Sequence, residues 1–62
     1  MQNTKLQQLL GNADSQAMTA ELLSMANSGL ISMSVYNEAN RLCKEQSFTK
    51  LFELVRLIAW ES

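Results

Sequence analysis

The sequence predicts an all-α fold, a compact bundle of three main helices plus a short N-terminal helix, and three observations carry that prediction. The chain has no Pro and two Gly in 62 residues, and its 47% hydrophobic content includes few β-branched residues, so little interrupts helix and little favours strand. Apolar residues recur at three- and four-residue spacing along most of the chain. The stretch Asn27-Ser28-Gly29-Leu30-Ile31-Ser32 reads at once as the end of one helix and the start of the next. The length suits one domain, 1–62, near the lower limit at which a core supports itself without disulfides, metal or a partner. Ordering costs of roughly 1.5 kcal/mol per residue sum to about 90 kcal/mol, so burial must be efficient or shared with a second subunit.

Helix one is expected from Asn3 or Thr4 to Leu10, with Asn3 as its cap, Leu6, Leu9 and Leu10 on one face, and Gly11-Asn12 as its stop. A helix this short is marginal alone and has to dock. Helix two starts at Asp14 or Ser15 and runs to Ser28, with Met18, Leu22, Met25 and Ala26 on one stripe, Leu23 beside it, and Ala17, Ala20, Ser24 and Ser28 on the far side. That small-residue ridge reads either as plain solvent-facing surface or as a place where another helix approaches closely.

Gly29 is the hinge of the chain. It suits the left-handed residue of a Schellman ending, which would bring apolar Leu30 back over Met25. Ser32 then caps helix three by accepting from a backbone N–H near Ser34 or Val35, and Ile31 and Tyr36 have the spacing of a hydrophobic staple. Helix three, Ser32 to about Gln46, directs Val35, Tyr36, Ala39, Leu42 and Cys43 inward. Its opposite face carries Asn37, Asn40, Arg41 and Lys44, flanked by Glu38 and Glu45, with Arg41 and Glu45 at ion-pair spacing. Helix four follows a break at Gln46-Ser47 and runs to Trp60, with Phe48, Leu51, Phe52, Leu54, Val55, Ile58 and Ala59 as a broad core stripe. Leu57 and Trp60 fall off that stripe, among Lys50, Glu53 and Arg56.

The residues exclude more chemistry than they suggest. Without His there is no imidazole base, Cys–His nucleophile or His metal site, and the six carboxylates are scattered over separate helices. A single cysteine, Cys43, makes no zinc pattern, and neither glycine belongs to a phosphate-cradling loop, so no metal, cofactor or enzymatic activity is expected. Cys43 in an apolar stripe reads as a reduced, buried thiol, which makes cytoplasm the expected location. The N-terminus Met1-Gln2-Asn3-Thr4-Lys5 lacks the apolar region of a signal peptide, and Leu51 to Trp60 is about half a membrane span and carries Glu53 and Arg56.

Two functional readings remain, from different classes. Leu57 and Trp60, rimmed by Lys50, Glu53 and Arg56, have the content of a protein interface and predict a binding protein that forms a homo-oligomer, a dimer by expectation. Against this, Trp60 near the end of the chain could fold back on helix one as core. The alternative is a helix-turn-helix DNA-binding regulator, in which Asn37 and Asn40 would read adenine, Arg41 guanine, and Lys44 would hold phosphate. The net charge of −1 and the flanking Glu38 and Glu45 favour the bland reading of that face as solvated surface.

The hairpin Leu22-Leu23-x-Met25-x-x-Ser28-Gly29-Leu30-Ile31-Ser32-x-x-x-Tyr36 resembles the short helical hairpins, L-x-x-x-x-x-G-x-I-[ST]-x-x-x-[FY], found as oligomerisation and adaptor modules in many bacterial proteins. It covers about a quarter of the chain. In size and style the chain is also similar to the small helical accessory proteins of temperate bacteriophage early regions. Those resemblances imply a protein-binding regulator, inhibitor or adaptor acting in a bacterial cytoplasm.

Overall fold

Three short polar side chains start three of the helices. Asn3 Oδ1 accepts from the Leu6 N–H at 3.0 Å, Asp14 Oδ1 from the Ala17 N–H at 3.1 Å and Ser32 Oγ from the Val35 N–H at 3.3 Å. Each pairs one of the donors that a helix start leaves open. They introduce α1 (Thr4–Asn12), α2 (Ser15–Asn27) and α3 (Met33–Lys44), and α4 (Phe48–Glu61) follows Ser47, whose carbonyl accepts from the Leu51 N–H at 3.0 Å. This computed structural model describes residues 3–61, with side chains described as far as Trp60. Met1, Gln2 and Ser62, and the side chain of Glu61, lie outside the described residues.

All three joints use one device. At Gly29 (φ 79°) the Gly29 N–H donates to Ala26 O at 3.1 Å and the Leu30 N–H to Met25 O at 2.9 Å, the bond pair of a Schellman ending. Ala13 (φ 54°) repeats it, with its N–H to Leu10 O at 3.1 Å and the Asp14 N–H to Leu9 O at 3.4 Å. Gln46 (φ 59°) repeats it again, to Cys43 O at 3.1 Å, with the Ser47 N–H to Leu42 O at 2.9 Å. At the first and third joints the closing residue, Asp14 or Ser47, immediately precedes the next helix, so the turn has no spare residue. The α2–α3 joint spends Leu30 and Ile31 before reaching Ser32.

These bonds correct several expected boundaries. Helix α1 passes through Gly11 and Asn12 and ends on Ala13, because Ala accepts the left-handed conformation that Gly11 had been expected to supply. Helix α2 ends at Asn27, and α3 at Lys44 because Gln46 has already turned left-handed. Leu30 does not anchor the hairpin: it is 69% exposed, since Met25 is already closed off at 4% exposure, with the Asn3 amide donating toward its sulfur at 3.4 Å. Ile31 and Tyr36, at the staple positions, pack partly buried against the core instead.

Every helix contributes to one core. Leu6 of α1, Met18, Leu22 and Met25 of α2, Ala39 and Leu42 of α3, and Leu51, Val55 and Ala59 of α4 are buried together. Helix α2 packs most extensively on α3, and α1 lies mainly along α4 with a second contact on α2. The Asn3 N–H donates to Ala59 O at 2.8 Å, pairing one of the carbonyls that the last turn of α4 leaves open and tying the start of α1 to the end of α4. Lys5 reaches Glu21 at 3.2 Å across α1 and α2. The radius of gyration, 10.1 Å, is close to the about 10.6 Å expected for a compact chain of this length, so α1 is docked and not splayed. No helix among the described residues is long and apolar enough to cross a membrane.

Candidate protein interface

Helix α4 carries two faces. Leu51, Val55 and Ala59 recur every four residues and enter the core, whereas Thr49, Phe52, Glu53, Arg56, Leu57 and Trp60 centre roughly 130° away around the helix. Helix α1, held along α4 by the Asn3–Ala59 bond, sets half-buried Leu10 beside this second face. Leu10, Glu53, Arg56, Leu57 and Trp60 line a shallow groove, and Thr49 and Phe52 continue it toward the start of α4. Leu57 is 54% and Trp60 46% exposed in that groove. Trp60 therefore shares a surface with α1 and stays about half exposed there.

Phe48, expected in the core, is 40% exposed. At the first position of α4 it has left the packed part of the bundle, and its ring stacks on Phe52 with centroids 6.2 Å apart and planes at 21°. Leu10 and Thr49 were not foreseen as lining residues. Their signal was unreadable along the chain, since only the α1–α4 pairing brings Leu10 to α4. Among the described residues neither Glu53 nor Arg56 forms an ion pair, so both rim charges are available to a partner. Lys50 shares with Glu53 and Leu57 a second depression, between α3 and α4, that Glu38 and Arg41 also line.

The outward face of α3 is organised differently. Asn37, Arg41 and Lys44 are exposed together, but Asn40 is half-buried, which corrects its expected place on the open face. Arg41 is held on both sides: Nε and Nη2 donate to Glu38 at 3.1 and 2.6 Å, and Nη1 donates to Glu45 at 2.9 Å. The Arg41 hydrogen bonds hold the Glu38 carboxyl below its ordinary range, against an opposing effect of desolvation and with help from the charges of Arg41 and Lys50. Both carboxylates in turn raise the Arg41 guanidinium above its already high value. Glu38, Arg41, Lys44 and Glu45 carry charges that cancel.

Cys43 is free and packs half-buried against the core. No group of three or more acidic or Cys side chains that could hold a metal ion occurs among the described residues, and no buried polar side-chain atom there lacks a partner. No protein-family model matches this chain, and neither the curated proteins nor the solved structures give a match.

Proposed function

We propose that this chain is a small non-enzymatic interaction protein, a regulator, inhibitor or adaptor, which binds protein through the groove between α1 and α4. One observation carries the reading: the core closes without Leu57 and Trp60, which stay 54% and 46% exposed beside Leu10, with an acid and a base at their rim that form no ion pair among the described residues. Covering what remains exposed of these two side chains is worth on the order of 5 kcal/mol at about 25 cal/mol per Å2. Association costs of about 4–15 kcal/mol offset that gain, so the two residues act as anchors and the rest of the groove, Phe52 and Leu10 included, has to be covered with them.

The helix-turn-helix reading draws less support. A guanine-reading Arg41 would have to leave three hydrogen bonds to Glu38 and Glu45, and those carboxylates would stand beside DNA phosphate. The absence of His and the scatter of the carboxylates favour binding over catalysis. The proposed setting is cytoplasmic, a bacterial host if the chain is phage-encoded, and rests on the lone thiol and on the resemblances in size and hairpin sequence. The deciding experiment is affinity capture from bacterial lysate with and without nuclease, run with wild type and with Leu57→Glu/Trp60→Ala. Protein bands that survive nuclease and vanish with the double variant are expected. Bands that depend on nucleic acid and ignore the double variant would transfer the function to α3.

A further inference from the structure

Taking the α1–α4 groove as a protein-binding surface, we infer that its occupant is a second copy of this chain, with the two α4 helices antiparallel across a two-fold axis that passes between Leu54 and Val55. Two antiparallel helices related by a two-fold meet residue for residue with a constant sum of numbers, so the surface has to be its own complement. The outward face of α4 has that property. The same axis sets Glu53 against Arg56 and Trp60 against Thr49, each pair occurring twice, while Phe52 and Leu57, on opposite flanks of that seam, each lie beside their own copy across the axis. Acid thus meets base, apolar meets apolar, and the large indole meets a small side chain.

Three features of the chain support this register. Thr49, Glu53, Arg56 and Trp60 are spaced four, three and four residues apart, the seam along which two helices pack at a shallow crossing angle. Glu53 and Arg56 have no ion pair in their own chain among the described residues, so pairing across the axis does not first break one within it. Leu10 stands at the edge of the seam, where it covers the flank of the partner's α4 in both halves of the dimer. An unrelated partner would not require this face to match itself.

Helix α4 has 14 residues and so is about 21 Å long. A contact of that length falls toward the small end of specific interfaces, below about 1,200 Å2 of total buried surface, and the dimer is expected to be weak. Its equilibrium is read by sedimentation at protein concentrations up to roughly 500 μM, high enough to populate a dimer of micromolar to sub-millimolar Kd. A different partner using the groove would compete with self-association.

The test is a charge exchange. Glu53→Arg sets arginine against Arg56 twice, and Arg56→Glu sets glutamate against Glu53 twice, so each variant alone should dimerise at least about ten-fold more weakly than wild type. Mixed in equal amounts, the two variants should form a heterodimer, and Glu53→Arg/Arg56→Glu in one chain should restore the homodimer. Both residues lie on the surface of the chain, and circular dichroism should show unchanged helicity. A wild type that stays monomeric throughout, single variants that dimerise like wild type, or a mixture that stays monomeric would each overturn the pairing. The protein-binding reading is separable: if the wild type is monomeric yet captures a lysate protein in a manner that Leu57→Glu/Trp60→Ala abolishes, self-pairing falls and the groove keeps its function. If neither occurs, both fall.

Discussion

The outward faces of α3 and α4 are both solvated helix surfaces of similar length, yet they differ in how they settle their charge and their apolar area. On α3, Arg41 is chelated by Glu38 and Glu45, and those three charges are satisfied as they stand. On α4, Glu53 and Arg56 form no ion pair among the described residues, while Leu57 and Trp60 stay about half exposed. A satisfied face gains little from a partner, because every new contact must replace an existing one. An unsatisfied face gains from covering. Charge content alone does not separate the two surfaces; the internal pairing does.

The largest expected effect tests whether the inner and outer sides of α4 are as different as this contrast requires. Leu51→Ala empties part of the core and should cost about 2–5 kcal/mol, enough to unfold a domain this small, whereas Leu57→Ala in dilute protein should cost under about 0.5 kcal/mol. Urea melts of the two variants decide it. Equal losses would make Leu57 a core residue and remove the contrast.

Next in size are the joints that aim the two faces. Gly29→Val should destabilise by about 1–2 kcal/mol through backbone strain alone, since a Cβ at Gly29 meets no atom within 4 Å. Gly11 lies inside α1 and equally meets nothing, so Gly11→Ala should stabilise by about 0.5–1 kcal/mol. Ala13→Gly and Gln46→Gly should also stabilise, by up to about 1 kcal/mol each, because both residues hold a left-handed backbone. Thermal melts with opposite signs for the two glycines would establish which of them turns the chain.

The smallest effect belongs to the α3 face. Glu38 titrates below its ordinary value near 4.5 in the folded chain, so its contribution is present above that pH and is lost as pH falls through the lower folded value. Glu38→Gln should therefore lower the melting temperature slightly at pH 7 and not at all at pH 2. Because the pair lies at the surface, added salt should shrink even the pH 7 difference. A large salt-resistant loss would mean that the triad supports the fold, and the two faces would no longer differ in kind.

The helices and the hinge were legible in the sequence because they rest on local chemistry. Asn3, Asp14 and Ser32 cap by bonding three residues ahead, and Gly29 turns where only glycine is free of strain. The joints at Ala13 and Gln46 were harder to read, since neither side chain advertises a left-handed backbone; α1 consequently runs further than expected, through Gly11. Leu57 and Trp60 were set apart by periodicity alone, but the groove they line depends on Leu10, which arrives through the long-range pairing of α1 with α4. Arg41 could be matched with Glu45 by spacing. Its stronger bidentate bond to Glu38 needed the actual rotamers, and with it the electrostatic difference between the two faces.

The account stands or falls on which outward face binds. Arg41→Ala/Lys44→Ala and Leu57→Glu/Trp60→Ala should be compared side by side, each checked for native helicity, in capture of nuclease-resistant protein partners and in sedimentation at high concentration. The account predicts that the α3 double variant behaves as wild type in both assays and that the α4 double variant loses capture and self-association together. Retention of both by the α4 variant, with loss in the α3 variant, would contradict it.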